Sequence, residues 1–306
     1  MKILSILIIT ITLAFFEIIT SIDNAVVNAD VLATMDKKYR RWFLVYGIII
    51  AVFLVRGILP WLMVWIADPS LGPVNSLLFA FSQDPKIIES FEKSSPLILM
   101  TGGVFLIFLF LHWLFLEPKR FGLPGEEFFS KQGVWFFATT SLLLTLIVWF
   151  SLKKDPLLAF TAALGSSLFF IVHGFREYAA RMEEKLTKRK KFSVISKLLY
   201  LEVLDASFSI DGVIGAFAFT LAVPLILLGN GVGAIVVREL TIKGTKQIKK
   251  YIFLKNGAMY SISLLGASMI LRSFGIEIPE ILSPLVTFLV IGFFFWKSRR
   301  FLKNHE

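Results

Sequence analysis

The sequence predicts an all-α fold, a polytopic transmembrane bundle of about nine spans with an inverted internal repeat. Three observations predict it: apolar residues fall in long blocks, basic residues crowd alternate connections between those blocks, and one acidic motif occurs twice. Hydrophobic residues make up 56% and charged residues 18% of the 306 positions, where an ordinary soluble domain carries about a quarter charged. The mean hydropathy is +0.76.

Crossing the roughly 30 Å hydrocarbon layer takes about 20 mainly apolar residues wound as a helix, because no water is there to satisfy backbone groups. Nine blocks qualify, near residues 3–33, 42–67, 96–116, 133–152, 157–175, 198–219, 221–241, 253–271 and 281–296. Strand-like alternation is absent, which argues against a β-barrel. The first block follows a single Lys2, lacks a small-residue cleavage site and runs into a polar motif, so it reads as a retained helix rather than a secretory signal. Residues 70–95 mix Pro, Ser and charge with Leu and Phe, a composition suited to an interfacial helix. One membrane domain results, with a first half over 1–152, a fifth span and basic loop over 153–197, and a second half over 198–306.

If the N-terminus lies outside, 24 of the 32 Lys and Arg residues fall on the inner side, in Lys37–Arg41, Lys119–Lys131, Arg176–Lys197, Lys243–Lys255 and Lys297–Lys303, and six fall on the other. The excess of basic residues on cytoplasmic loops therefore predicts an N-terminus outside and a C-terminus cytoplasmic, in what is read as a bacterial inner-membrane protein. The net charge of +10 is then loop charge and implies no nucleic-acid partner. The run Lys185–Lys191 reads as a headgroup-facing loop. Membrane lipid is the expected surroundings, and a homo-oligomer is compatible with the sequence. With no Cys, disulfides, thiolate ligands and soft-metal sites are excluded.

The repeat aligns Glu17-Ile-Ile-Thr-Ser-Ile-Asp23 with Asp205-Ala-Ser-Phe-Ser-Ile-Asp211, each inside an apolar block. A second match follows each copy, with Gly47, Ala51 and Arg56 corresponding to Gly229, Gly233 and Arg238 at the same spacings. Five spans begin before the second copy, an odd number, so the copies are expected to run in opposite directions. Inverted repeats are common in secondary transporters, whose sites lie near the midplane at the repeat interface. The Gly47/Ala51 and Gly229/Gly233 pairs read as small-residue surfaces for close helix packing between the copies.

On a helix, Glu17, Thr20, Ser21, Asn24 and Asn28 line one stripe, and Glu202, Asp205 and Ser209 line the matching one. Asp23 joins the first stripe only if the helix unwinds, and Gly212 and Gly215 after Asp211 suggest that freedom in the second copy. Ionisable groups at bilayer depth are costly unless they pair or meet water, and by default mark a functional site. Carboxylate, amide and hydroxyl oxygens without sulfur are hard ligands suited to Mn²⁺, Mg²⁺ or Ca²⁺. The candidate metal set is Glu17, Ser21, Asp23, Asn24, Asn28, Glu202, Asp205, Ser209 and Asp211, with Arg56 and Arg238 as gates or counter-ions. Against it stands ordinary interhelical hydrogen bonding with acid–arginine pairing, although five acids exceed two arginines. His112 and His173 read as core histidines rather than ligands.

Glu17–Asn24, with its Ser-Ile-Asp-Asn, and Phe208–Asp211 resemble the paired signature motifs of the TerC family of integral membrane proteins, wider relatives of which are LysE-type exporters. Arg56 and the segment Tyr251–Gly257 look similar to that family as well. The resemblance implies export of Mn²⁺ as transported ligand, no enzymatic activity, a role in metal homeostasis and in supplying metal to exported proteins, and site roles for the acids at 17, 23, 205 and 211. Some members carry a tellurite-resistance label. The second copy departs from the first, with Asp205 in place of Glu17 and Gly212 in place of Asn24, and so lacks one amide ligand. Rival readings are a LysE-like exporter of a small amino acid or cationic solute, an intramembrane aspartyl protease using Asp23 and Asp211, and a structural membrane subunit. The Tyr-Asp and Gly-x-Gly-Asp pair of such proteases is absent.

Overall fold

The computed structural model describes residues 3–21, 25, 28, 29, 32, 35–49, 56–67, 69, 72–78, 85–188, 194–243, 250–279 and 281–304. Asp23, Asn24 and Ala51 lie outside them. Twelve helices and no strand occur among the described residues: α1 (Ile3–Thr20), α2 (Lys37–Ile49), α3 (Arg56–Ala67), α4 (Gly72–Leu78), α5 (Pro85–Leu116), α6 (Glu126–Ser130), α7 (Trp135–Lys154), α8 (Pro156–Lys188), α9 (Val194–Ala216), α10 (Val223–Lys243), α11 (Leu254–Ser273) and α12 (Leu282–Lys303).

Five of them are long and apolar enough to cross a membrane: Ile3–Thr20, Lys93–Leu116 within α5, Trp135–Lys154, Pro156–Tyr178 within α8, and Val223–Thr241 within α10. The protein is therefore membrane-associated. The other four predicted blocks also contain helix, three of them with charged residues in or beside their apolar stretches. Lys197, Glu202, Asp205 and Asp211 stand in α9, Lys255 and Arg272 in α11, and four basic residues at the end of α12, while the block at 42–67 comprises the short α2 and α3.

Local chemistry sets the visible helix boundaries. Asp155 breaks α7 from α8: its Oδ1 accepts a hydrogen bond from the Leu157 N–H at 2.8 Å, and Pro156 follows as the first residue of α8, where its missing N–H costs nothing. Gly275, at φ 87°, closes α11 with the paired bonds from Ile276 N–H to Leu271 O and from Gly275 N–H to Arg272 O, the Schellman arrangement that glycine permits.

α5 is the central helix and packs most extensively against α11 and α8, while α1 packs chiefly against α10 and α7 against α8. Close approach depends on missing side chains. A Cβ on Gly103 would lie 2.9 Å from Gly266 O, and one on Gly165 would meet Thr101 O. Small residues at such crossings are how membrane helices gain packing contact without a hydrophobic drive between them. The core between these helices is aromatic and aliphatic, with Phe16, Phe105, Phe108, Trp113, Phe169, Phe217 and Phe219 fully enclosed.

Candidate functional site

The two motif helices, α1 and α9, contact each other at the acids. A Cβ on Gly212 would run into Glu17 Oε2. Glycine there lets the carboxylate of the first copy lie directly against the second, and this gives a steric reason why the second copy has no counterpart of Asn24.

Around this contact the acids are paired with arginines. Glu17, with 0% exposure, accepts from Arg56 Nη2 at 2.5 Å and from Ser21 Oγ at 2.9 Å on the same oxygen, Oε1. In the second copy Arg238 Nη2 donates to Asp205 Oδ2 at 2.8 Å and reaches Glu202 Oε2 at 3.5 Å. Its Nη1 donates to Phe43 O at 2.6 Å, and its guanidinium lies 4.2 Å from the Phe43 ring centroid. Each arginine thus binds the leading acid of its own copy. The charge of Asp205 also reaches Arg56, and that of Glu17 reaches Asp211, so the copies share one electrostatic site.

The expectation that five acids face only two arginines needs correction. Arg176, counted in the sequence with the basic loop, belongs to α8, and its Nη2 lies 2.7 Å from Asp211 Oδ2. Nothing in a loop-charge count separates it from its neighbours, but the spacing of buried Phe169 and Val172 continues to position 176 at i, i+3 and i+7, which places it on the inward face.

Pairing does not use every oxygen. Glu17 Oε2, Glu202 Oε1 and Asp211 Oδ1 are enclosed without a hydrogen bond among the described residues, as is Asn28 Oδ1. Ser209 turns its hydroxyl to Asp205 O at 2.6 Å, and Thr20 bonds Phe16 O at 2.9 Å, so these two serve the helix backbone. Asn230 of α10, which the motif did not flag, is fully buried with neither amide atom bonded. Among the described residues no group of three or more His, Asp or Glu converges as a metal cage. The site is a set of carboxylates neutralised by guanidinium groups.

The Gly229/Gly233 surface packs closely as its spacing predicts, while Ala51 of the first pair lies outside the described residues. A Cβ on Gly229 would lie 2.5 Å from Leu13 Cβ and one on Gly233 2.7 Å from Ala14 O, so α10 sits flush on α1 at the level of Glu17. Gly47 of the first copy lies against Glu202 and Arg238 of the second.

A separate polar cluster lies where α5 ends and α11 begins. Glu126 accepts from the N–H groups of Gly122 and Leu123 and from Asn256 Nδ2 and Tyr260 Oη, at 2.7 to 3.0 Å. This gives the Tyr251–Gly257 segment a tethering role. Nearby, burial works against ionisation of Glu117, but His112 and Lys255 outweigh it and hold the carboxyl at about 2.

No curated protein and no solved structure matches the chain. A family model matches residues 22–306, a span that holds both arginines, the whole second copy of the motif and the tethering segment, so the chain belongs to the family described as Protein of unknown function (DUF475).

Proposed function

We propose that this protein is a secondary transporter that exports a hard divalent cation, Mn²⁺ foremost, across the bacterial inner membrane. One observation carries the reading: carboxylates from both motif copies meet in the interior, and three of their oxygens have no hydrogen bond among the described residues. A buried acceptor without a partner is costly, and a buried carboxylate more so, so an arrangement that holds three serves something besides stability. Oxygen ligands of this kind suit a hard ion. The ion is substrate here, and taking the carboxylates means displacing Arg56 and Arg176 from them, because the cation and the guanidinium groups repel.

The reciprocal packing supports an inverted repeat. Gly229 and Gly233 of the second copy seat on α1, Gly47 of the first lies beside Glu202, and each arginine holds its own copy's acid. Nine spans with the N-terminus outside belong to the same proposal. The pairing with guanidinium groups favours one second reading, a LysE-like exporter of a cationic solute, since an ammonium group could take the place of an arginine on the same acids.

The test is Mn²⁺ flux into proteoliposomes, comparing wild type with Glu17→Gln, Asp205→Asn and Asp211→Asn at matched reconstitution. A loss of tenfold or more, on the order expected for a removed binding-site contact of about 1.4 kcal/mol or greater, supports the site. Unchanged flux in all three variants sinks it, and flux of lysine in place of Mn²⁺ selects the second reading.

A further inference from the structure

Apart from the motif site, one cluster of titratable groups inside the bundle has no part in the proposed ion path. The rings of His112 on α5 and His173 on α8 are 4.0 Å apart between centroids. They are walled by aromatics, Phe136 edge-on to His112 at 5.6 Å and Phe169 stacked on His173 at 5.7 Å. His112 Nδ1 is 3.5 Å from Glu117 Oε1, whose Oε2 accepts from Lys255 Nζ at 2.7 Å. His173 Nε2 is 3.7 Å from Glu177 Oε1. The charged groups beside the pair are Glu117 at the end of α5 and Glu177 and Arg176 on α8, with Lys255 on α11 and Lys119 on the connection after α5 lying beyond Glu117, and Asp211 on α9 behind Arg176. From α7 the uncharged Phe136 meets it.

We propose that His112 and His173 form a binding site for a single proton, and that this proton is the coupling ion of transport; the second half of the statement rests on the transport reading above. Two imidazoles in ring contact behind an aromatic wall cannot both carry charge, because like charges at that distance with little water between them repel strongly. One proton is nevertheless welcome, since Glu117 and Glu177 each offer an oxygen to the ring nitrogens. The pair therefore takes one proton and refuses the second. That proton sits one helical turn from Arg176. A positive charge there weakens the hold of the guanidinium on Asp211 and draws Glu117 from Lys255 towards His112, so proton uptake at this end of the bundle loosens the acid that the substrate cation needs.

The chain has three histidines, so isotope-labelled histidine in lipid nanodiscs gives three resonances, with His305 as internal reference. The expected titration of His112 and His173 is coupled, in two steps separated by about one pH unit or more, and His112→Gln removes the lower step from His173. Each histidine titrating in one step that is unmoved when the other is replaced overturns the proton site. Helical circular dichroism and a cooperative thermal unfolding transition show that the variants are folded. In proteoliposomes, an imposed pH gradient is expected to accelerate Mn²⁺ flux in wild type and not in His173→Gln; equal acceleration in both overturns the coupling role. If wild type moves no Mn²⁺ under any gradient, the transport reading fails and the coupling role with it, while the titration decides the proton site by itself.

Discussion

Gly212 shows how much one missing methyl group can decide. Any side chain there displaces the Glu17 carboxylate, which is also held by Arg56 and Ser21. Gly212→Ala is expected to lower transport at least tenfold and destabilise the protein by about 1–3 kcal/mol, the usual range for overpacking. Gly57→Ala, where an added Cβ meets nothing within 4 Å, serves as the neutral control; the check is flux together with thermal unfolding in micelles. The acids themselves were legible in the sequence, because charge inside an apolar block is conspicuous. Their partners were less so. Arg56 and Arg238 announced themselves by recurring with the motif, whereas Arg176 occurs once, at the inner edge of a basic stretch, and only the fold brings it to Asp211. Asn230 gave no signal, since one amide in an apolar helix looks like any other tolerated polar residue. Asp23 and Asn24 lie outside the described residues.

Among the helices, those with unbroken apolar stretches were read at the right places, as α5, α7, α8 and α10 show. The block at 42–67 reads in the sequence as one apolar stretch, and its described residues form α2 and α3 on either side of residues 50–55, which lie outside the described residues. The pairing of α1 with α10 rests on Gly229 and Gly233, so Gly233→Leu is expected to push the two helices apart at the level of Glu17. A cost of about 1–3 kcal/mol and loss of flux follow, read by unfolding and transport at matched expression. If Gly233→Leu behaves as wild type, the close crossing has no functional weight.

For the molecule as a whole, nine spans and their orientation make a prediction that does not depend on the ion. Reporter fusions after residues 191 and 272 are expected to report opposite sides of the membrane, and a cytoplasmic signal from both contradicts nine spans. Five helices meet the length and apolarity of a span by themselves, while α9, α11 and α12 carry charges in or beside their apolar stretches. A charged helix can still be enclosed by others, as the burial of Asp205 and Arg238 shows. The fold class was thus written in the hydropathy, while the arrangement of helices depended on contacts between residues far apart in the chain.

The basic residues at the end of the bundle by Glu126 carry a consequence for digestion and for lipid. Lys119 Nζ donates to the carbonyls of Trp113 and Leu114, closing the last turn of α5, Lys297 Nζ donates to Gly122 O, and Lys255 holds Glu117. Three lysines that count as inner-side loop charge in the sequence are therefore occupied by the protein itself. A trypsin nick in this connection should fall at exposed Arg120 or at Lys131, with its side chain 70% open, before Lys119. Anionic phospholipid, for its part, meets fewer free cations on this face than the sequence advertises.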